Sequence, residues 1–309
     1  MLSISNLWGG GDVPTPNVSY VTESSQVHFK PYVPPPISLC DIAYWDGSKV
    51  KTVSQNKWST SLGTPVGVVV IPEGFAPDGK ARMISLKYAT SAGTSSNSSA
   101  PMSWGTYGTD TSLTNYRKVP TTDNAGSTSN GSNSSGYLPS DNFTGATSFV
   151  DSTAKYSETS NLIPSPYLGD DQTFNPEYSK TILSGNTNVN CLSDFNGASN
   201  TAVLVGLGTD YTAANAAHNY NGGVTGTSIQ WYLPAAGELG FIIPRLNAID
   251  AAITAVGGVA VSGGSYGNNF WSSSEYSSNY VYAVRTNNGN VDRYASKDNT
   301  RYVRPFAVL

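Results

Sequence analysis

Apolar and polar positions alternate from Leu39 to Leu86, and the alternation predicts short strands. Asp41-Ile42-Ala43-Tyr44-Trp45 and Lys49-Val50-Lys51-Thr52-Val53 flank Asp46-Gly47, a dipeptide suited to a tight turn, so they predict a hairpin. Pro65-Val66-Gly67-Val68-Val69-Val70-Ile71-Pro72 is a continuous apolar run bracketed by prolines and predicts a buried strand. A second turn, Asp78-Gly79, leads into the strand-like Ala81-Arg82-Met83-Ile84-Ser85-Leu86. Apolar patterning then fades, and it returns near Thr181. Asn200 to Leu207 predicts a short strand or helix, and Tyr211 to His218 is Ala-rich and suits a helix. Leu239, Ile242, Leu246, Ile249 and Ile253 recur at spacings of three and four, which predicts the clearest helix of the chain. Pro234 stands at its first turn and Gly257-Gly258 at its end. Pro244 interrupts it, because the proline ring crowds the carbonyl of Gly240. Beyond it, Trp271, Tyr282, Val284, Val291, Val303 and Phe306 mark short strands, with Asn288-Gly289 as a tight turn.

These patterns divide the chain into four. Residues 1–38 lack periodicity, are rich in Pro and Gly and end in Pro34-Pro35-Pro36, which predicts an extended N-terminal arm. Residues 39–88 form a small β module. Residues 89–184 are dominated by Ser, Thr, Gly, Asn and Tyr, cannot bury a core of their own, and are expected to pack over their neighbours as loops or inserts. Residues 185–309 form the C-terminal domain.

Composition narrows the chemistry. Only 12% of the 309 residues are charged and the formal net charge is −4. No basic block exceeds a pair, so nucleic acid is not an expected partner. Cys40 and Cys191 lie far apart; a single bridge is open to them, with two buried free thiols the favoured reading. With His28 and His218 as the only histidines, a histidine metal site or general base has little to draw on. Neither cofactor nor metal is expected. Met1 to Trp8 has no secretory-signal pattern and no apolar run reaches the length of a membrane span, so neither export by that route nor membrane insertion is expected.

The C-terminal stretch from Phe270 carries the strongest functional signal. Phe270-Trp271-Ser272-Ser273-Ser274-Glu275 and Tyr302-Val303-Arg304-Pro305-Phe306 look fixed, and between them lies a mixture of Asn, Tyr, Asp, Arg, Ser and Thr. Such a frame around contact-prone side chains points to recognition. Tyr offers amphipathic contact area at low entropy cost, with small polar residues adding adaptable hydrogen bonds. Arg285 and Arg293 suit bidentate contact with carboxylate or phosphate. Trp271 is expected to be a core anchor, and Glu275 and Arg304 to satisfy buried hydrogen bonds.

Together with Trp231-Tyr232-Leu233-Pro234-Ala235-Ala236-Gly237-Glu238-Leu239, the phrases Phe270 to Tyr276 and Val303-Arg304-Pro305 resemble the variable proteins of diversity-generating retroelements. The resemblance covers about 185–309 and implies an α+β architecture. Its C-terminal domain would be C-type-lectin-like, of the formylglycine-generating-enzyme type, preceded by the β module and the arm. In that family a reverse transcriptase randomises adenines, so Asn codons vary on exposed positions held by a fixed scaffold. By position, the frame is Trp271, Ser272, Ser273, Ser274, Glu275, Gly289, Val291, Val303, Arg304 and Pro305. The implied ligand-binding set is Asn279, Tyr280, Tyr282, Arg285, Asp292, Arg293, Tyr294, Ser296, Asp298, Asn299, Thr300 and Tyr302, with Ala295 and Arg301 at its margin.

The resemblance implies a phage tail-fibre receptor-binding protein at the virion's tail tip. It would be trimeric, recognise a bacterial surface protein or polysaccharide, and join the tail through its N-terminal region. A bacterial or fimbrial adhesin is an alternative. An enzyme of the formylglycine-generating type is disfavoured, because only Cys191 lies in the lectin-like part and the pair Asp170 and Asp171 has no histidine near it in sequence. Calcium binding is disfavoured because a Glu-Pro-Asn-type ligand run is absent.

Overall fold

The computed structural model describes residues 20–23, 26–29, 37–113 apart from 75, 77, 99 and 112, 194–262, 269–286 and 291–309. The chain divides into two compact units, Met1–Pro36 and Ile37–Leu309. In the first, β1 (Tyr20–Glu23) pairs antiparallel with β2 (Gln26–Phe29), Tyr20 opposite Phe29. The arm therefore contains a hairpin, for which Val21, Thr22, Val27 and Phe29 are good strand formers. Pro34-Pro35-Pro36 lies outside the described residues.

In the second unit, β3 (Ile42–Trp45), β4 (Val50–Val53), β5 (Thr64–Ile71) and β6 (Arg82–Ser85) are the strands read from the alternation. Short strands follow at β7 (Tyr88–Ala89), β8 (Ser95–Ser96) and β9 (Met102–Ser103). Helices α1 (Gly197–Leu207) and α2 (Thr212–His218) precede β10 (Trp231–Tyr232), α3 (Ala236–Ile242) and α4 (Leu246–Ala255). The chain closes with β11 (Asn269–Glu275), β12 (Tyr280–Arg285), β13 (Val291–Ser296), β14 (Thr300–Arg301) and β15 (Phe306–Val308). This is an α+β protein built on antiparallel sheets.

Residues 39–88 do not form a module of their own. Their strands belong to a six-stranded sheet, β10-β15-β6-β5-β3-β4, in which β6 pairs with β15 from the end of the chain. One apolar row crosses every strand: Val53, Ile42, Val68, Ile84, Phe306 and Tyr232 are successive partners. That face packs on α3 and α4, whose Leu239, Ile242, Leu246, Ile249 and Ile253 share its core cluster. The opposite face, with Ala43, Val66, Met83, Trp231 and Ala307, joins a second cluster containing Trp104, Leu204, Trp271 and Val303. Because both faces are covered, Val66 and Val68–Ile71 are all buried, which explains their unbroken apolar run.

The described part of the Ser-rich middle also contributes to the core. Met102, Trp104 and Leu113 are buried in the second cluster, so this segment packs on its neighbours. Residues 114–184, with Asp170 and Asp171, lie outside the described residues.

The long helix is divided as the sequence suggests. Pro244 lies in a 3-10 turn, Ile243–Arg245, that separates α3 from α4. Glu238 Oε2 accepts from the backbone N–H of Ala235, and Ser274 Oγ from that of Ala236, so two orphan donors at the start of α3 are satisfied. At the end of α4, Gly257 has φ 77°, with Gly257 N donating to Thr254 O and Gly258 N to Ile253 O. That left-handed termination suits glycine. No helix among the described residues is long and apolar enough to cross a membrane.

Candidate functional site

The three-stranded sheet β11-β12-β13 carries most of the sequence-predicted positions. Its frame is fixed from within. Trp271 is fully buried and its indole N–H donates to Met102 O at 2.7 Å. Between Trp271, opposite Ala283, and Glu275, opposite Val281, three serines face the single Tyr282. This bulge turns their small hydroxyls inward. Ser272 Oγ donates to Tyr282 O at 2.6 Å, Ser274 Oγ to Asp194 Oδ2 at 2.6 Å, and Ser273 Oγ accepts from Asn200 Nδ2 at 3.2 Å.

Arg304 is buried and donates to the carbonyls of Ser85, Leu86 and Val259. Burial pulls its guanidinium down to about 10, still charged at neutral pH. Glu275 accepts from Lys297 Nζ, Thr111 N and Thr111 Oγ1, and Lys297 also donates to Thr109 O. Both members of this ion pair are fully buried. The expected structural roles of Trp271, Glu275 and Arg304 thus have their partners.

Two other carboxyls are buried in the same layer. Burial raises Asp194 to about 6 against the hydrogen bonds of Ser274, Asn196 and Asn200. Burial likewise raises Glu238 to about 7, although Arg82, Ala235 N–H and Tyr232 OH favour its ionised form. Among the described residues no group of three or more His, Cys, Asp or Glu is placed to hold a metal ion. Cys40 is a half-buried free thiol; Cys191 lies outside the described residues.

The predicted contact positions separate into three environments. Tyr282 and Tyr302 are core residues, 1% and 2% exposed, which corrects their assignment to the binding face. Tyr282 points with Phe270 and Val284 into the helix-side core, and Tyr302 packs between Tyr88 and Phe270. Ala295, at the margin of the set, is buried on the other side.

A second group forms an aromatic surface. Tyr294 is 55% exposed, and its ring lies edge-on to those of Tyr276 and Tyr280, each at 5.6 Å. Tyr280 meets Tyr107 at 6.4 Å. Asp298 and Asn299 on the adjoining turn and Thr300 at the start of β14 are exposed, while Asn279 and Ser296 are half-buried beside them. Ser296 Oγ donates to Asp298 Oδ1, and Asn279 O accepts from Lys297 N.

The third group lies across the sheet edge. Two residues of β13, Arg293 and Tyr294, stand opposite the single Tyr282, so the strand bulges there. The bulge puts Asp292 on the face of its partner Ala283, away from the tyrosines. Arg285 and Arg301 approach Asp292 Oδ2 at 4.0 and 3.3 Å. The backbone of Arg293 lies in β13; its side chain, like the Asn288-Gly289 turn and Gly289 of the frame, lies outside the described residues.

Sequence reasoning missed Tyr107 and Lys297. Tyr107 comes from the low-complexity middle and reaches Tyr280 only because the segment around it is tied down. Gly108 N donates to Ser278 O, and Thr111 is held by Glu275. Lys297 stands between predicted surface positions, and nothing in its neighbourhood marks it as buried. Tyr276, which closes the phrase Phe270 to Tyr276, also joins the aromatic surface through Tyr294.

No family model matches the chain, and no curated protein matches it. Among solved structures the chain is similar to a fimbrial protein from Bacteroides ovatus, with a TM-score of 0.43 and 14% identity. The match covers 88% of this chain and 49% of that one, so this chain spans about half the length of the fimbrial protein. The fold itself is α+β, built on antiparallel sheets, and its C-terminal sheet carries an exposed, chemically mixed margin.

Proposed function

We propose that this chain is a receptor-binding protein of a phage tail fibre, with a C-type-lectin-like C-terminal domain that recognises a bacterial surface ligand. One observation carries the reading. Tyr280, Tyr294, Asp298, Asn299 and Thr300 form a partly to fully exposed margin, while the hydrogen bonds of the buried frame run through Trp271, the three serines, Glu275 and Arg304. Side chains at the margin can change without disturbing that frame, as diversification by a retroelement requires. Edge-to-face tyrosines give a preorganised contact area that loses little entropy on binding. The N-terminal unit serves as the attachment to the tail, and trimerisation multiplies weak contacts. Recognition needs no catalytic step, metal or cofactor.

The test is staining of a panel of bacterial strains with fluorescently labelled protein. Tyr280→Ala and Tyr294→Ala should abolish staining of the strains that the parent labels, with the unfolding midpoint nearly unchanged. Equal staining by parent and variants refutes the assigned face. At the coding locus, a near-copy of the final segment that differs only at adenines, beside a reverse transcriptase, supports diversification. A locus without one makes the protein a fixed adhesin.

A further inference from the structure

We propose that Arg285 and Arg301, gathered around Asp292 at the edge of the three-stranded sheet, form a binding site for an oxyanion, the carboxylate or phosphate group of an acidic ligand. This deepens the recognition reading, on which its biological use rests. The terminal nitrogens of both guanidiniums approach the same oxygen, Asp292 Oδ2, so one further anion can touch both. Two guanidiniums and one carboxylate leave one positive charge uncompensated within the cluster.

The cluster is held in place before any ligand arrives. Asp292 Oδ1 accepts from the backbone N–H of Tyr294 at 3.0 Å. The guanidinium of Arg301 lies over the indole of Trp271 at 5.2 Å, and that indole is itself bonded to Met102 O. Such stacking fixes the plane of the guanidinium fork. Burial lowers the pKa of Arg301, Asp292 opposes that shift and Arg285 adds to it, so the two arginines repel and an incoming anion relieves them.

Donors are also in excess. A guanidinium carries five N–H donors. The Arg285 side chain makes no hydrogen bond to the described residues, only the 4.0 Å ion pair, and it is 40% exposed. The Arg301 side chain makes one hydrogen bond among the described residues, to Asp292. The Nε of each arginine is buried without a partner among the described residues. Unmet guanidinium donors favour an acceptor that presents two oxygens, which carboxylate and phosphate both do.

The test is an NMR titration of the isotopically labelled full chain at constant ionic strength, with inorganic phosphate, acetate and neutral acetamide as probes. Saturable shifts of the Arg285, Arg301 and Trp271 side-chain N–H signals are expected with phosphate or acetate, and none with acetamide; the tighter of the two anions identifies the source of the oxyanion. Arg285→Gln should weaken binding on the order of tenfold, the loss of a charge-assisted hydrogen-bond pair. Arg285→Lys, which keeps the charge without the fork, should fall between, and well-dispersed backbone spectra establish that the variants fold. Absence of saturable shifts, or equal affinity in parent and Arg285→Gln, overturns the site. Anion binding by a protein that stains no strain leaves this site standing and refutes the recognition reading instead.

Discussion

Tyr302→Phe removes one hydroxyl and should stabilise the protein. The ring is 2% exposed, 5.6 Å from that of Tyr88 and 6.1 Å from that of Phe270. The backbone is held by Tyr302 N donating to Asn269 O and by Trp271 N donating to Tyr302 O. Its hydroxyl is buried without a partner among the described residues. An unsatisfied buried polar group costs about 1–3 kcal/mol, so its removal should gain about 1 kcal/mol after partial relaxation. Tyr302→Ala instead removes the whole buried ring and should cost about 3–5 kcal/mol. Tyr294→Ala is the surface control. With the ring 55% exposed and set edge-on to those of Tyr276 and Tyr280, it should cost less than about 1.5 kcal/mol. Urea unfolding followed by tryptophan fluorescence ranks the set, provided the slopes agree. A Tyr302→Phe variant less stable than the parent by about 1 kcal/mol would show that the hydroxyl has a partner. Near-parental stability of Tyr302→Ala would return Tyr302 to the surface and refute the division of the tyrosines into core and margin.

Other outcomes follow from the buried layer. Lys297→Met leaves the Glu275 carboxylate without its cation in a fully buried site and should cost about 3–5 kcal/mol; a less severe loss in the Lys297→Met, Glu275→Leu double variant would identify the unpaired charge as the cause. Asp194 rises from 3.8 to about 6 and Glu238 from 4.5 to about 7, so between those values the folded chain holds more protons than the unfolded one. Stability should therefore fall as pH rises through that window, and Asn and Gln at these two positions should flatten the profile of urea midpoints. Gly63 has φ 148°, and a Cβ there would lie 2.2 Å from Trp45 O, so Gly63→Ala should cost more than about 1 kcal/mol by thermal denaturation.

Local signals made much of the fold legible. Asp46-Gly47 and Asp78-Gly79 mark turns with Gly47 at φ 99° and Gly79 at φ 73°, and the break at Pro244 follows from a missing N–H and a clash. Trp271, Glu275 and Arg304 were readable as frame because large or charged residues in a fixed phrase need partners inside. The binding margin was only partly legible. Tyr280, Tyr282, Tyr294 and Tyr302 look alike in sequence, yet two face solvent and two fill the core. Alternation reveals which residues share a face of a strand, but not whether that face is covered.

Coverage comes from distant segments and depends on long-range packing. The Met102–Thr111 segment covers one side of the sheet, seals Lys297 against Trp104 and Glu275, and delivers Tyr107 to the aromatic surface. The six-stranded sheet likewise joins residues 42–85 to the last strand of the chain, erasing the boundary that composition suggests. Turns, helix breaks and the residues able to anchor a core follow from the order of amino acids alone, because those depend on local backbone geometry and side-chain chemistry. Which tyrosines are free to meet a ligand, and how two arginines come to share one aspartate, depended on bulges and long-range packing that no local pattern contains.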